Sequence, residues 1–93
     1  MNAFHWRPGA TPLDLLRDVQ RKGQTPSAAC WSAACLEMTA RDAESDARAI
    51  AASASAELLE RLAANVSRYR LRAAALLDRA PELQALRLKG RAA

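Results

Sequence analysis

The sequence predicts an all-α protein: an antiparallel helical hairpin, about residues 26–52 and 56–80, with short flanking helices at about 12–22 and 82–89 that complete a small bundle. Three observations predict this. Between Pro26 and Pro81 there is neither proline nor glycine, and the run is rich in Ala, Leu, Arg and Glu, all good helix formers. Within it, two apolar series repeat with heptad spacing and mirror each other. No stretch alternates apolar and polar residues over strand length between turn residues, so no sheet is expected.

Taken in order, residues 1–10, MNAFHWRPGA, read as an extended or mobile arm. The arm carries Phe4, Trp6 and the only histidine, His5. Thr11-Pro12-Leu13-Asp14 is a helix start: Thr caps, Pro opens the helix, and Asp can reach back to the cap amide. That helix should run through Arg21 or Lys22 and stop at Gly23. Thr25-Pro26 repeats the start signal.

Residues 26–80 as one helix would be roughly 80 Å long, out of scale for so short a chain. The spacing offers a folded solution. Ala29, Ala33, Leu36, Ala40, Ala43, Ala47 and Ile50 form one heptad series, and Leu59, Leu62, Val66, Tyr69, Ala73, Leu76 and Ala80 form another. The alternation is lost between Ile50 and Leu59. Folding the chain there pairs the series throughout, with residue numbers summing to 109. Ala33 then meets Leu76, Ala40 meets Tyr69, and Ala47 meets Leu62. Most layers set a small residue against a large one, which fills space without clash. The turn is therefore expected at about residues 52–56. The competing position is Asp42–Asp46, where RDAESD is more polar and richer in capping residues. Pro81 suggests a third start, with a short helix to about Leu88. One domain, residues 11–89, and a tail, 90–93, follow.

The formal net charge of +4 is unevenly spread: +1 over residues 1–40, −3 over 41–60 and +6 over 61–93. In the hairpin register Glu37 and Arg70 should pair across the seam. Glu37/Arg41, Glu44/Arg48 and Glu57/Arg61 are helical pairs in the favourable order. Arg61, Arg68, Arg72 and Arg79 fall on one stripe of the second hairpin helix. Such a stripe can be solvated, meet an acidic protein partner, or neutralise nucleic-acid phosphates. Nucleic acid is the weakest of the three: no helix–turn–helix signature or aromatic platform is present, and the 41–60 segment is acidic.

No catalytic constellation appears, and no cofactor or metal is expected. Cys30 and Cys35 diverge by about 140° on a helix, poor geometry for sharing a bond or a metal. Both are expected as buried free thiols, which fits a reducing compartment. No apolar run is long enough for a membrane span, and the N-terminus has no signal-like core, so the expected location is the cytoplasm.

Some apolar side chains have no place in the seam. Trp31, Cys35 and Met38 lie off it on the first hairpin helix, and Leu71 lies off it on the second. Leu13, Leu16 and Val19 can cover one side, and Leu83 and Leu86 part of another. Two short helices do not cover every outer face, so an apolar strip should stay exposed, and such strips mark partner sites. The expected function is a small non-catalytic protein–protein interaction module, binding another protein or itself through Trp31, Cys35, Met38 and Leu71 with Arg61, Arg68, Arg72 and Arg79. Small bacterial chaperones, secretion-apparatus accessory proteins, antitoxins and adaptors share that shape. The alternative is a nucleic-acid-binding or regulatory protein using the Arg stripe of residues 61–79.

Overall fold

The computed structural model describes residues 9–92. His5, Phe4 and Trp6 of the arm lie outside the described residues. Among the described residues there are four helices and no strand: α1 Pro12–Arg21, α2 Ala28–Ile50, α3 Ala56–Leu77 and α4 Pro81–Ala92.

α1 begins as its sequence predicts. The Asp14 carboxylate accepts the Thr11 amide at 2.8 Å and the Thr11 hydroxyl at 3.2 Å. The helix ends before Gly23, whose φ of +73° carries the chain into a left-handed turn that residues with a Cβ adopt only at a cost. α2 starts two residues later than expected. Its cap is Ser27 rather than Thr25, and the Ser27 hydroxyl accepts the Cys30 amide at 3.2 Å. Ser27 wins because its position is doubly held. Its amide and hydroxyl each donate to the Glu82 carboxylate of α4, both at 2.6 Å. One carboxylate thus ties the first turn of α4 to the start of α2.

α2 and α3 pack against each other as a hairpin. The turn spans residues 51–55, closed by Ser53 and Ala54 amides on the Ile50 carbonyl and capped by the Ser55 hydroxyl, which accepts the Leu58 amide at 3.1 Å. The competing turn at Asp42–Asp46 is helical. Its polar side chains find places without breaking the helix: Asp42, Ser45 and Asp46 point to solvent while Ala40, Ala43 and Ala47 keep the seam. All fourteen seam residues are buried or half-buried.

The core sits at the open end of the hairpin. Leu13, Leu15, Leu16 and Val19 of α1 pack there with Cys30, Ala33 and Ala34 of α2, Ala73 and Leu77 of α3, Ala80, and Leu83 of α4. Leu15, among the most buried of these, belongs to a Pro12/Leu15/Leu16/Val19 stripe at helical spacing that the three residues singled out from sequence only partly traced. Two boundaries differ at the C-terminal side. α3 stops at Leu77, where Asp78, Arg79 and Ala80 form the turn that lets Ala80 and Leu83 enter the core. α4 begins on Pro81 and continues through Gly90 to Ala92, because a lone glycine weakens a helix without ending it.

Candidate protein-binding surface

The inner, α1-facing side of the hairpin carries a charged network. Glu37 is buried at 4 % exposure. It accepts Arg41 Nε at 3.0 Å from its own helix and Arg70 Nη2 at 3.2 Å from α3. Arg70 also donates to Glu44 at 2.7 Å, and Arg41 reaches the Thr11 hydroxyl at 3.2 Å. The expected Glu37–Arg70 bridge is therefore present, as are Glu37–Arg41 and Glu57–Arg61. Glu44 departs from expectation: it forms its ion pair with Arg70 across the seam rather than with Arg48 on its own helix. Hydrogen bonding from Arg70 holds the Glu44 carboxyl below its ordinary value, and Glu44 and Glu37 in turn hold the guanidinium firmly protonated. The network fixes where α1 begins relative to the hairpin.

α1, with ten residues, is about 15 Å long. It covers only the open half of that side. Beyond its N-terminus, Ala47, Leu59, Leu62, Ala63 and Val66 line an open groove of about 470 Å³, rimmed by Glu44, Arg48, Ser67 and Arg70. The sequence did not single out this groove, because all its apolar members but Ala63 were assigned to the seam.

The molecule is only 20 Å through its thinnest direction, two helix layers. The outward stripe of α2 is uncovered among the described residues: Trp31 is 50 % and Met38 51 % exposed, with Cys35 exposed between them. One or two positions away, Cys30, Ala33 and Ala34 are buried, so the stripe is sharply bounded. Leu71 on α3 is 71 % exposed. The expectation of two buried thiols is corrected: Cys30 is buried and Cys35 is not. Residues 30 and 35 face different sides of α2, and only the first turns to the core. Burial pushes the Cys30 thiol up to about 11, with the Glu82 charge adding to the shift. Glu82 itself is pushed up by burial, but hydrogen bonds from Ser27 and from its own backbone outweigh this and hold it below its ordinary value.

The Arg stripe is shorter than its spacing predicts. Arg79 lies in the α3–α4 turn, beyond the end of α3. Arg61 is in ion-pair contact with Glu57 at 3.5 Å. Arg68 and Arg72 remain on the helix, both exposed, with no ion pair among the described residues. Among the described residues no group of three or more His, Cys, Asp or Glu side chains is arranged to hold a metal ion. No described helix is long and apolar enough to cross a membrane.

Compared with known proteins, the chain matches no family model, no curated protein and no solved structure.

Proposed function

We propose that this protein is a small, non-catalytic interaction module, an accessory, chaperone or adaptor subunit of a bacterial assembly, that binds a protein partner through the outward faces of its hairpin. The observation that carries the reading is the Trp31–Cys35–Met38 stripe. Large apolar side chains stand in solvent beside fully buried alanines of the same helix, and Leu71 repeats the pattern on α3. Scattered exposed apolar residues are ordinary, but a continuous stripe on one helix face is the kind of surface partners cover. Tryptophan is also the residue type most enriched at the energetic centre of interfaces. The Arg68 and Arg72 charges on α3 supply steering and orientation.

Cys35 is a reporter set within the stripe. In a Cys30→Ala background, its alkylation rate in the isolated chain should be that of an exposed thiol. In the complex recovered from the source cell, the rate should fall at least about tenfold. An unchanged rate in that complex removes the stripe as the interface.

A further inference from the structure

We propose that the cleft lined by Asn65, Arg68, Tyr69, Leu71 and Arg72 is the docking point for an acidic peptide segment of the partner protein, one of whose carboxylates bridges Arg68 and Arg72 while a neighbouring apolar side chain covers Leu71. The proposal rests on the interaction-module reading and specifies the chemistry of the partner.

The cleft measures about 420 Å³ and opens on the outer side of α3. Its charges are conspicuous for what they lack. Arg21, Arg41, Arg61, Arg70 and Arg87 each hold a carboxylate of this chain. Arg68 and Arg72 hold none among the described residues; Arg17, Arg48 and Arg79 hold none either, but only Arg68 and Arg72 stand together, four residues apart on one helix face, where like charges repel. Asn65 and Tyr69 add an amide and a phenol, both half-buried, and neither side chain makes a hydrogen bond among the described residues. Four unused donors border one cleft with an apolar wall. A carboxylate answers this arrangement: each guanidinium can donate two parallel hydrogen bonds to it, and charge-assisted bonds are the strong class. The exposed Leu71 asks for an apolar neighbour of that acid.

A nucleic-acid backbone fits less well. The track of free guanidinium groups on α3 has shrunk to two adjacent ones, a point contact rather than a path for successive phosphates. Tyr69 is half-buried and is the only aromatic side chain lining the cleft, so bases have no run of rings to stack on, and Asp42 and Asp46 stand exposed on the neighbouring helix.

The test uses the full chain and a fluorescent synthetic peptide of glutamate and leucine, with its glutamine-for-glutamate counterpart and mixed-sequence single-stranded DNA as comparison probes. Anisotropy at low salt should show the acidic peptide binding wild type. The Arg68→Gln/Arg72→Gln variant should bind at least about tenfold more weakly. Arg17→Gln/Lys22→Gln, which removes the same charge from two other exposed positions, should bind as wild type does. Circular dichroism should show equal helix content in all three proteins. No peptide binding, equal loss in both variants, equal binding of the glutamine peptide, or DNA held more tightly than the peptide through Arg68 and Arg72 would each overturn the proposal. Slowed Cys35 alkylation in the native complex alongside any of those results leaves the interaction module standing and removes only the acidic-segment cleft.

Discussion

At the scale of single residues, the structure separates pairs that the sequence treats alike. Cys30 and Cys35 both read as buried thiols, yet they sit on opposite sides of a sharp boundary on α2. Periodicity could have found the difference. Cys30 lies one step from the seam position Ala29, on the side that α1 covers, whereas Cys35 shares a stripe with Trp31 and Met38. In native protein at neutral pH a thiol reagent should therefore modify one cysteine quickly and the other only on unfolding, as peptide mapping would show. The same burial has a pH consequence. A group whose folded value lies above its unfolded value stabilises the fold fully below the unfolded value, and that stability is lost as pH rises through the folded one. For Cys30 the window runs from about 9 to about 11, and the loss amounts to roughly 2–3 kcal/mol. Urea titrations across that range should show the alkaline decline reduced in Cys30→Ala relative to wild type. Leucines divide in the same way. Leu77→Ala removes a fully buried side chain and should cost about 2–5 kcal/mol, while Leu71→Ala should change stability by less than about 0.5 kcal/mol.

At the scale of elements, the hairpin was legible because two independent signals agreed. Heptad spacing set the faces, and the alternation of small and large residues set the register. The Glu37–Arg70 bridge then followed from the register alone. What escaped the sequence depends on contacts between distant segments. Ser27 rather than Thr25 caps α2 because Glu82, fifty-five positions away, accepts from it. Glu44 reaches Arg70 because the hairpin register sets the two side chains on the same side of the seam. Arg79 leaves the stripe because Ala80 and Leu83 are drawn into the core. The hairpin itself can be locked chemically. With Cys30 and Cys35 replaced by alanine, Ala43→Cys and Val66→Cys should form a disulfide within one chain, seen as a monomeric species of altered mobility on a non-reducing gel. Crosslinking solely between chains would mean one long helix in an oligomer. Glu82→Ala should loosen α4 and the first turn of α2 together, costing about 1–3 kcal/mol through the two strong hydrogen bonds it removes.

At the scale of the whole molecule, the core and the proposed binding surface lie on different faces. The core is confined to the open end, where four helices meet. Toward the turn the structure thins to two helices and a groove lies open, while the stripe on α2 faces solvent at the core end, on the side of that helix away from Cys30, Ala33 and Ala34. A chain of ninety-three residues buries a modest core, and this one leaves Trp31, Met38 and Leu71 outside it. The interaction reading was visible in the sequence only as a surplus: apolar residues with no seam to join. The proposed acidic character of the partner had no sign there, because Arg68 and Arg72 look no different from Arg61 and Arg70 until the structure shows that the latter two already hold a carboxylate. The central claim is that the outward stripe serves a partner and not the fold. The direct measurement compares the wild-type chain with Trp31→Ala/Met38→Ala, each tagged and expressed in the source cell, by the amount of Cys35-protecting partner that co-purifies. The account predicts that the double variant keeps its helix content and loses nearly all of that partner. Unfolding of the variant, equal recovery of the partner by both chains, or no such partner with wild type would contradict it.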